Sequence, residues 1–183
     1  LLMTAHIQYP QIEKDQVVSK ETGERIYVPA TLSDDILTGL VRKKYGYKGV
    51  IVSDAMGMDA IAKNFGEVEA VKMAIKAGVD LVLMPTTLRS KADLTKIDTI
   101  VNAVVDAVQT GDISEDRLNE SVRRILTLKE KRGVLNFDPS ARTAEKAEEA
   151  VGSTLNRDLE RKIAAAAVTV VKNEDHTLPF KVQ

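Results

Sequence analysis

The sequence predicts an α/β fold in which parallel strands alternate with helices. Three observations carry that expectation. Short apolar runs at 1–7, 49–54 and 79–85 are rich in Val, Ile and Leu with little polar alternation, the pattern of strands covered on both faces. Helical patterns fill the intervals between them. The order strand, helix, strand, helix, strand then reads as βαβ units with right-handed crossovers.

The first run, Leu1-Leu2-Met3-Thr4-Ala5-His6-Ile7, opens the chain with no initiator Met and no leading turn. Over 32–45, Ile36, Leu37, Leu40 and Val41 recur at helical spacing, with Ser33 as N-cap, Asp34 and Asp35 in the first turn and Gly46 as the stop. The second run ends on Asp54, and Ala55-Met56-Gly57-Met58 leads into the next helix. Over 67–77, Val68, Val71 and Ile75 share one helix face, and Gly78 ends it. The third run closes with Met84-Pro85.

Two helices follow. Ile97, Ile100, Val101, Val104, Val105 and Val108 stripe the first, which ends at Gly111. The second starts at Ser114, with Ile113 and Leu118 spaced as a hydrophobic staple, and runs through Val122, Ile125, Leu126 and Leu128 to Gly133. Polar composition over 136–153 reads as a linker holding a short helix. A helical stretch over 155–165 and a fourth apolar run, Val168-Thr169-Val170-Val171, open a second domain over 154–183. Beginning inside one element and stopping at Leu178-Pro179-Phe180-Lys181-Val182-Gln183, the chain reads as a piece of a longer protein.

Composition narrows the function. The 183 residues include 26 basic and 27 acidic ones, a net charge of -1 with no basic stripe, which argues against nucleic acid as a partner. No Cys is present, so disulfides, thiolate metal sites and Cys nucleophiles are excluded together, while the compartment stays open. Apolar runs fall well short of the ~20 residues that span a bilayer. Neither GxGxxG nor GxxxxGK[ST] follows a strand. The two histidines, His6 and His176, lie at opposite ends of the chain, so no metal site is expected, and no cofactor.

Asp54 is the most informative residue. In parallel α/β folds ligands bind at the carboxyl ends of strands, where the loops form the mouth of the sheet. A carboxylate there faces the mouth, whereas one in mid-strand would be buried without a partner. Position alone leaves two roles open: a catalytic group, or a cap on the following helix. His6 stands at the equivalent end of the first strand, so two polar groups could converge. Met56 and Met58 read as core or as pocket lining. Asp34 and Asp35 complement a helix dipole.

Residues 48–61, Lys-Gly-Val-Ile-Val-Ser-Asp-Ala-Met-Gly-Met-Asp-Ala-Ile, resemble the nucleophile strand of glycoside hydrolase family 3. Met3-Thr4-Ala5-His6-Ile7 upstream, then Glu69-Ala70-Val71 and the stretch 77–85, extend the likeness. Val170-Val171-Lys172-Asn173-Glu174 with Leu178-Pro179 resembles the opening of that family's second domain. The family's β-glucosidases carry Trp after the nucleophile; here Ala55 stands in that place and the chain has no Trp, which resembles the bacterial β-N-acetylglucosaminidase branch.

The resemblance implies about the last three βα units of a (β/α)8 TIM barrel over 1–135, a linker over 136–153 and the start of an α/β sandwich domain over 154–183. It implies a retaining exo-glycosidase acting on terminal β-linked N-acetylglucosamine, with Asp54 as nucleophile; His6, Met56 and Met58, by their places around the strand ends, are the candidates to lie near the substrate. Its partners would be that carbohydrate (peptidoglycan fragments among them) and the rest of its barrel or another copy of the chain. The proton donor would lie outside the chain, on a loop rich in Lys, His and Gly, leaving this stretch inactive alone. A family-3 β-glucosidase or xylosidase is the nearest alternative. A non-catalytic α/β scaffold, with Asp54 as a helix cap, is the other.

Overall fold

The computed structural model describes residues 1–139, 143–174 and 178–179. The chain divides into two units, Leu1–Leu135 and Asn136–Gln183. In chain order the first holds β1 (Leu2–Met3), β2 (Gln16–Val18), β3 (Arg25–Tyr27), a 3₁₀ turn (Ala30–Leu32), a π-helix (Asp35–Lys44), β4 (Ile51–Val52), α1 (Asp59–Phe65), α2 (Glu67–Ala77), a 3₁₀ turn (Lys91–Asp93), α3 (Leu94–Gln109) and α4 (Glu115–Lys131).

β1 and β4 pair in parallel, Leu2 opposite Ile51 and Met3 opposite Val52, and a parallel bridge joins Val52 to Leu81. The three apolar runs therefore lie side by side in the expected parallel sense, with helices between the second and third. The regular strands are much shorter than the runs. The third run bridges only at Leu81, because the fully buried Ser53 hydroxyl, and not a backbone carbonyl, accepts the Leu83 N–H at 2.8 Å. From there the ladder gives way to turn contacts: the Met56 N–H donates to the Leu83 carbonyl and the Gly57 N–H to the Met84 carbonyl, each at 3.0 Å.

One face of this sheet is packed. Ile51, Ile61, Ala70 and Ala74 are fully buried, with Leu37, Met56 and Val79 close to it, and Leu2 packs against them. At ~25 cal/mol per Å² of apolar surface, this cluster is the main driving force for the unit. The alternate positions Leu1, Met3, Leu81 and Leu83 are exposed or nearly so.

The helix expected over 32–45 forms, but as a π-helix: the Tyr45 N–H reaches back five residues to the Leu40 carbonyl. Ser33 caps it as expected, its hydroxyl accepting the Ile36 N–H at 3.1 Å and donating to the buried Glu13 carboxylate. α2 occupies 67–77 as its spacing predicts, entered through Gly66 at φ 79 and left through Gly78 at φ 125. α4 starts on Ser114, whose hydroxyl accepts the Arg117 N–H at 3.2 Å, with Ile113 buried beneath it.

The antiparallel hairpin β2–β3 had no counterpart in the sequence reading. Its strands expose Val18 and alternate weakly, so little periodicity marks them.

The second unit holds α5 (Ala144–Val151) and α6 (Thr154–Ala167), capped by Thr143 and Ser153. α5 is the short helix expected within 136–153. The run 168–171 forms no strand: Val168, Val170 and Val171 are exposed, with no strand partner among the described residues. A strand exists only against a neighbour that completes its hydrogen bonds. His176 and Phe180 lie outside the described residues.

Candidate active site

Asp54 follows β4 after a single residue, Ser53, and is half-buried. Its Oδ1 accepts the Ala55 N–H at 2.7 Å, and Oδ2 takes no hydrogen bond among the described residues. It does not cap the next helix. α1 begins at Asp59 with Met58 as its N-cap, and no side chain caps it. The helix-cap alternative thus lacks its geometry.

His6 lies near the carboxyl end of β1, half-buried, with both ring nitrogens engaged. Nε2 stands 3.0 Å from the Ala55 carbonyl oxygen, and Nδ1 stands 3.0 Å from Thr31 Oγ1. Thr31 Oγ1 is in turn 2.8 Å from Thr4 Oγ1, and both threonines are buried. The carboxyl ends of β1 and β4 therefore meet through one residue: Ala55 gives its N–H to Asp54 and its carbonyl to His6.

The other expected site residues separate. Met56 is 1% exposed and belongs to the core, so it lines no open surface here. Met58 is exposed at the start of α1. Met84, exposed at the end of the third run, has φ 45, a left-handed backbone that costs a non-glycine residue roughly 1–2 kcal/mol. Its carbonyl receives the Gly57 N–H, so the strained residue braces the turn carrying Asp54.

Thr4, Thr31 and Ser53 had no role in the sequence reading, and Met84 entered it only as the end of the third run. Thr4, two residues before His6 on one strand face, was the one legible signal; Thr31 joins the network through tertiary contact alone. Asp34 and Asp35 stay at the start of the π-helix, away from this turn.

A carboxylate with one oxygen fixed by an amide and the other unengaged can act as a nucleophile or a general base. Among the described residues no group of three or more His, Asp and Glu could hold a metal ion. A cavity of about 340 Å³ lies elsewhere, lined by Leu1, Gly49, Val50, Arg123 and Leu128 at the amino ends of β1 and β4. No helix among the described residues is long and apolar enough to cross a membrane.

Residues 1–128 match the glycosyl hydrolase family 3 N terminal domain. Beta-hexosaminidase A of Pseudoalteromonas piscicida is 38% identical over 181 residues, covering 99% of this chain and 29% of that protein. A beta-N-acetylglucosaminidase/beta-glucosidase of Cellulomonas fimi is 28% identical over 182 residues, covering 98% and 29%. A solved glycoside hydrolase family 3 beta-N-acetylglucosaminidase from Paenibacillus sp. str. FPU-7 superposes with a TM-score of 0.60 at 37% identity, over 72% of this chain and 22% of that one. The chain spans less than a third of the length of these two curated relatives.

Proposed function

The chain belongs to glycosyl hydrolase family 3, and on that premise we propose that it is part of a retaining exo-glycosidase that removes terminal β-linked N-acetylglucosamine, with Asp54 as nucleophile. The observation that carries the reading is Asp54 itself: a half-buried carboxylate at the end of a parallel strand, one oxygen held by an amide and the other unengaged. The parallel order of β1, β4 and Leu81 supports a further reading, that the unit Leu1–Leu135 supplies about three βα units of a (β/α)8 barrel.

In this mechanism an Asp54 oxygen attacks the anomeric carbon as the bond to the leaving oxygen breaks, and a separate acid protonates that oxygen. Water then attacks the same carbon, giving its proton to the group that acted as acid. The carboxylate returns free.

We assign the acid to another part of the full-length protein. His6 has both ring nitrogens engaged within the chain, which supports looking elsewhere for the donor. Taken alone, the stretch is then inactive, since acid catalysis contributes ~10²–10⁴-fold. Its partners are the carbohydrate and the remainder of the barrel, or a second copy of the chain.

The name of the Cellulomonas fimi relative favours a second reading, activity on β-glucosides as well. Assaying aryl β-N-acetylglucosaminide against aryl β-glucoside with the full-length protein separates the two. Trapping with a fluorosugar and peptide mapping tests the nucleophile: a label on Asp54 supports it, and a label on another carboxylate overturns it.

A further inference from the structure

The hydrogen bonds that run from Thr4 to Ala55 have a fixed direction. A carbonyl oxygen only accepts, so the proton between His6 and Ala55 sits on Nε2. In the neutral ring Nδ1 is then the acceptor, and the Thr31 hydroxyl donates to it. Thr31 Oγ1 is left to accept from the Thr4 hydroxyl. Thr31 is fully buried and Thr4 nearly so, which keeps water from competing for either bond. The Thr4 N–H meanwhile donates to the Val52 carbonyl, two residues before Asp54.

The turn after Asp54 is therefore held from two flanks. Leu83 and Met84 take the Met56 and Gly57 N–H groups on one side, and His6 takes the Ala55 carbonyl on the other. Without His6 the Ala55–Met56 peptide would be held only at its Met56 N–H, by Leu83, and a shift of the Ala55 backbone would carry with it the N–H of the preceding peptide, which holds Asp54 Oδ1.

We propose that His6 is a positioning residue: by donating to the Ala55 carbonyl it fixes the Ala55–Met56 peptide, and with it the backbone of the residue whose N–H, in the preceding peptide, holds the Asp54 carboxylate. The inference rests on Asp54 being the nucleophile. His6 touches the reacting atoms at no point, so its effect falls on attack geometry more than on substrate affinity. Misplacement of a reacting group by ~1 Å costs ~10²-fold in rate.

The test uses the full-length protein and an aryl β-N-acetylglucosaminide. His6→Leu should lower kcat by about 10–100-fold with KM within about threefold. His6→Gln, which keeps an N–H within reach of the Ala55 carbonyl, should recover much of the loss. A purely structural role would not produce that rescue at equal thermal stability. Wild-type kcat in His6→Leu, or a His6→Gln no better than His6→Leu, overturns the proposal. Should His6→Leu fail to fold, Thr31→Val decides: reduced kcat at unchanged KM supports it, and wild-type turnover overturns it. Asp54→Asn is assayed alongside. Retained turnover there removes the nucleophile on which the inference rests, whereas an inert Asp54→Asn beside a fully active His6→Leu removes only the role of His6.

Discussion

Arg42 Nη2 stands 2.5 Å from Asp80 Oδ2, a carboxylate with no exposed side-chain surface. Arg124 reaches Oδ1 at 3.0 Å, Arg117 at 3.4 Å and the Ser121 hydroxyl at 2.8 Å, while the Ile51 N–H donates to Oδ2 at 2.9 Å. One carboxylate thus ties the π-helix, β4 and α4 to the base of the third run. Arg42 also donates to the Tyr47 and Gly49 carbonyls, fixing the entry to β4. In parallel α/β folds, polar groups at the amino ends of strands serve stability and those at the carboxyl ends serve chemistry. Asp80 lies at an amino end and Asp54 at a carboxyl end, and under the proposed mechanism the two divide along that line.

Asp80→Asn should destabilise the protein by about 3–5 kcal/mol, because three guanidinium groups lose their counter-charge in a largely dry environment. Calorimetry on the variant and the parent checks this, and a change under about 1 kcal/mol would refute the picture of a central ionic tie.

The same group sets an acid limb. Burial pushes the Asp80 carboxyl up, but hydrogen bonds from the Ile51 N–H and Ser121 and the charge of Arg42 outweigh it, and its pKa lies below the ordinary value. Burial lowers the Arg117 guanidinium too, against the pull of Asp80; starting so high, it stays charged. A carboxylate depressed in the folded state stabilises above its unfolded pKa of about 4, and that stability is lost as pH falls through the folded value. Urea midpoints should therefore be flat near neutrality and drop below about pH 4. Asp80→Asn should flatten the drop, and an unchanged acid limb in that variant would assign it to other groups.

Asp54→Asn should leave stability within about 0.5 kcal/mol of the parent. Among the described residues its side chain bonds only the next residue, and an Asn carbonyl accepts the Ala55 N–H equally well. Under the proposed mechanism the same substitution abolishes turnover in the full-length protein. Loss of activity at unchanged thermal midpoint is the expected signature; a large drop in midpoint would mark Asp54 as structural.

Gly66 ends α1 and starts α2 at φ 79 and ψ 148, a region open to glycine alone. An added Cβ would also meet Lys20 Nζ at 3.0 Å, though that flexible end can swing away. Backbone strain should make Gly66→Ala destabilising by about 1–3 kcal/mol. Thermal denaturation tests it, with Gly111→Ala as the comparison that shares the positive φ of 79 but has nothing within 4 Å of the added Cβ, so that strain is seen without the contact.

What the sequence revealed follows from where the physics is local. The cap at Ser114 and the end of α2 at Gly78 depend on residues within a turn of each other, and both are found where expected. The parallel sense of the three runs followed from βα alternation. Their lengths did not, because only tertiary contact lets Ser53 take over the Leu83 N–H and end the ladder at Leu81. Asp54 was legible from its place after an apolar run, yet the Thr4–Thr31–His6–Ala55 chain was not. Its hydrogen-bonded partners are separated by up to 49 residues, and no periodicity links them.

The sheet itself yields the last expectation. Leu2 and Ile51 face the core, while on the other side of the sheet Met3 (56% exposed) and Leu81 (38%) flank the buried Val52, and Leu83 (37%) extends the exposed apolar surface. Among the described residues β1 carries a neighbour on one side only, so the amide and carbonyl groups of its other edge add a template for pairing. Covering a few hundred Å² of such surface at ~25 cal/mol per Å² offsets much of the entropy lost on association. The 183-residue chain on its own should therefore self-associate in a concentration-dependent way, and Met3→Lys, a charge on the open face, should weaken the association. Size-exclusion chromatography with light scattering decides it. A monomer of 20.0 kDa at every concentration would mean that this face tolerates water.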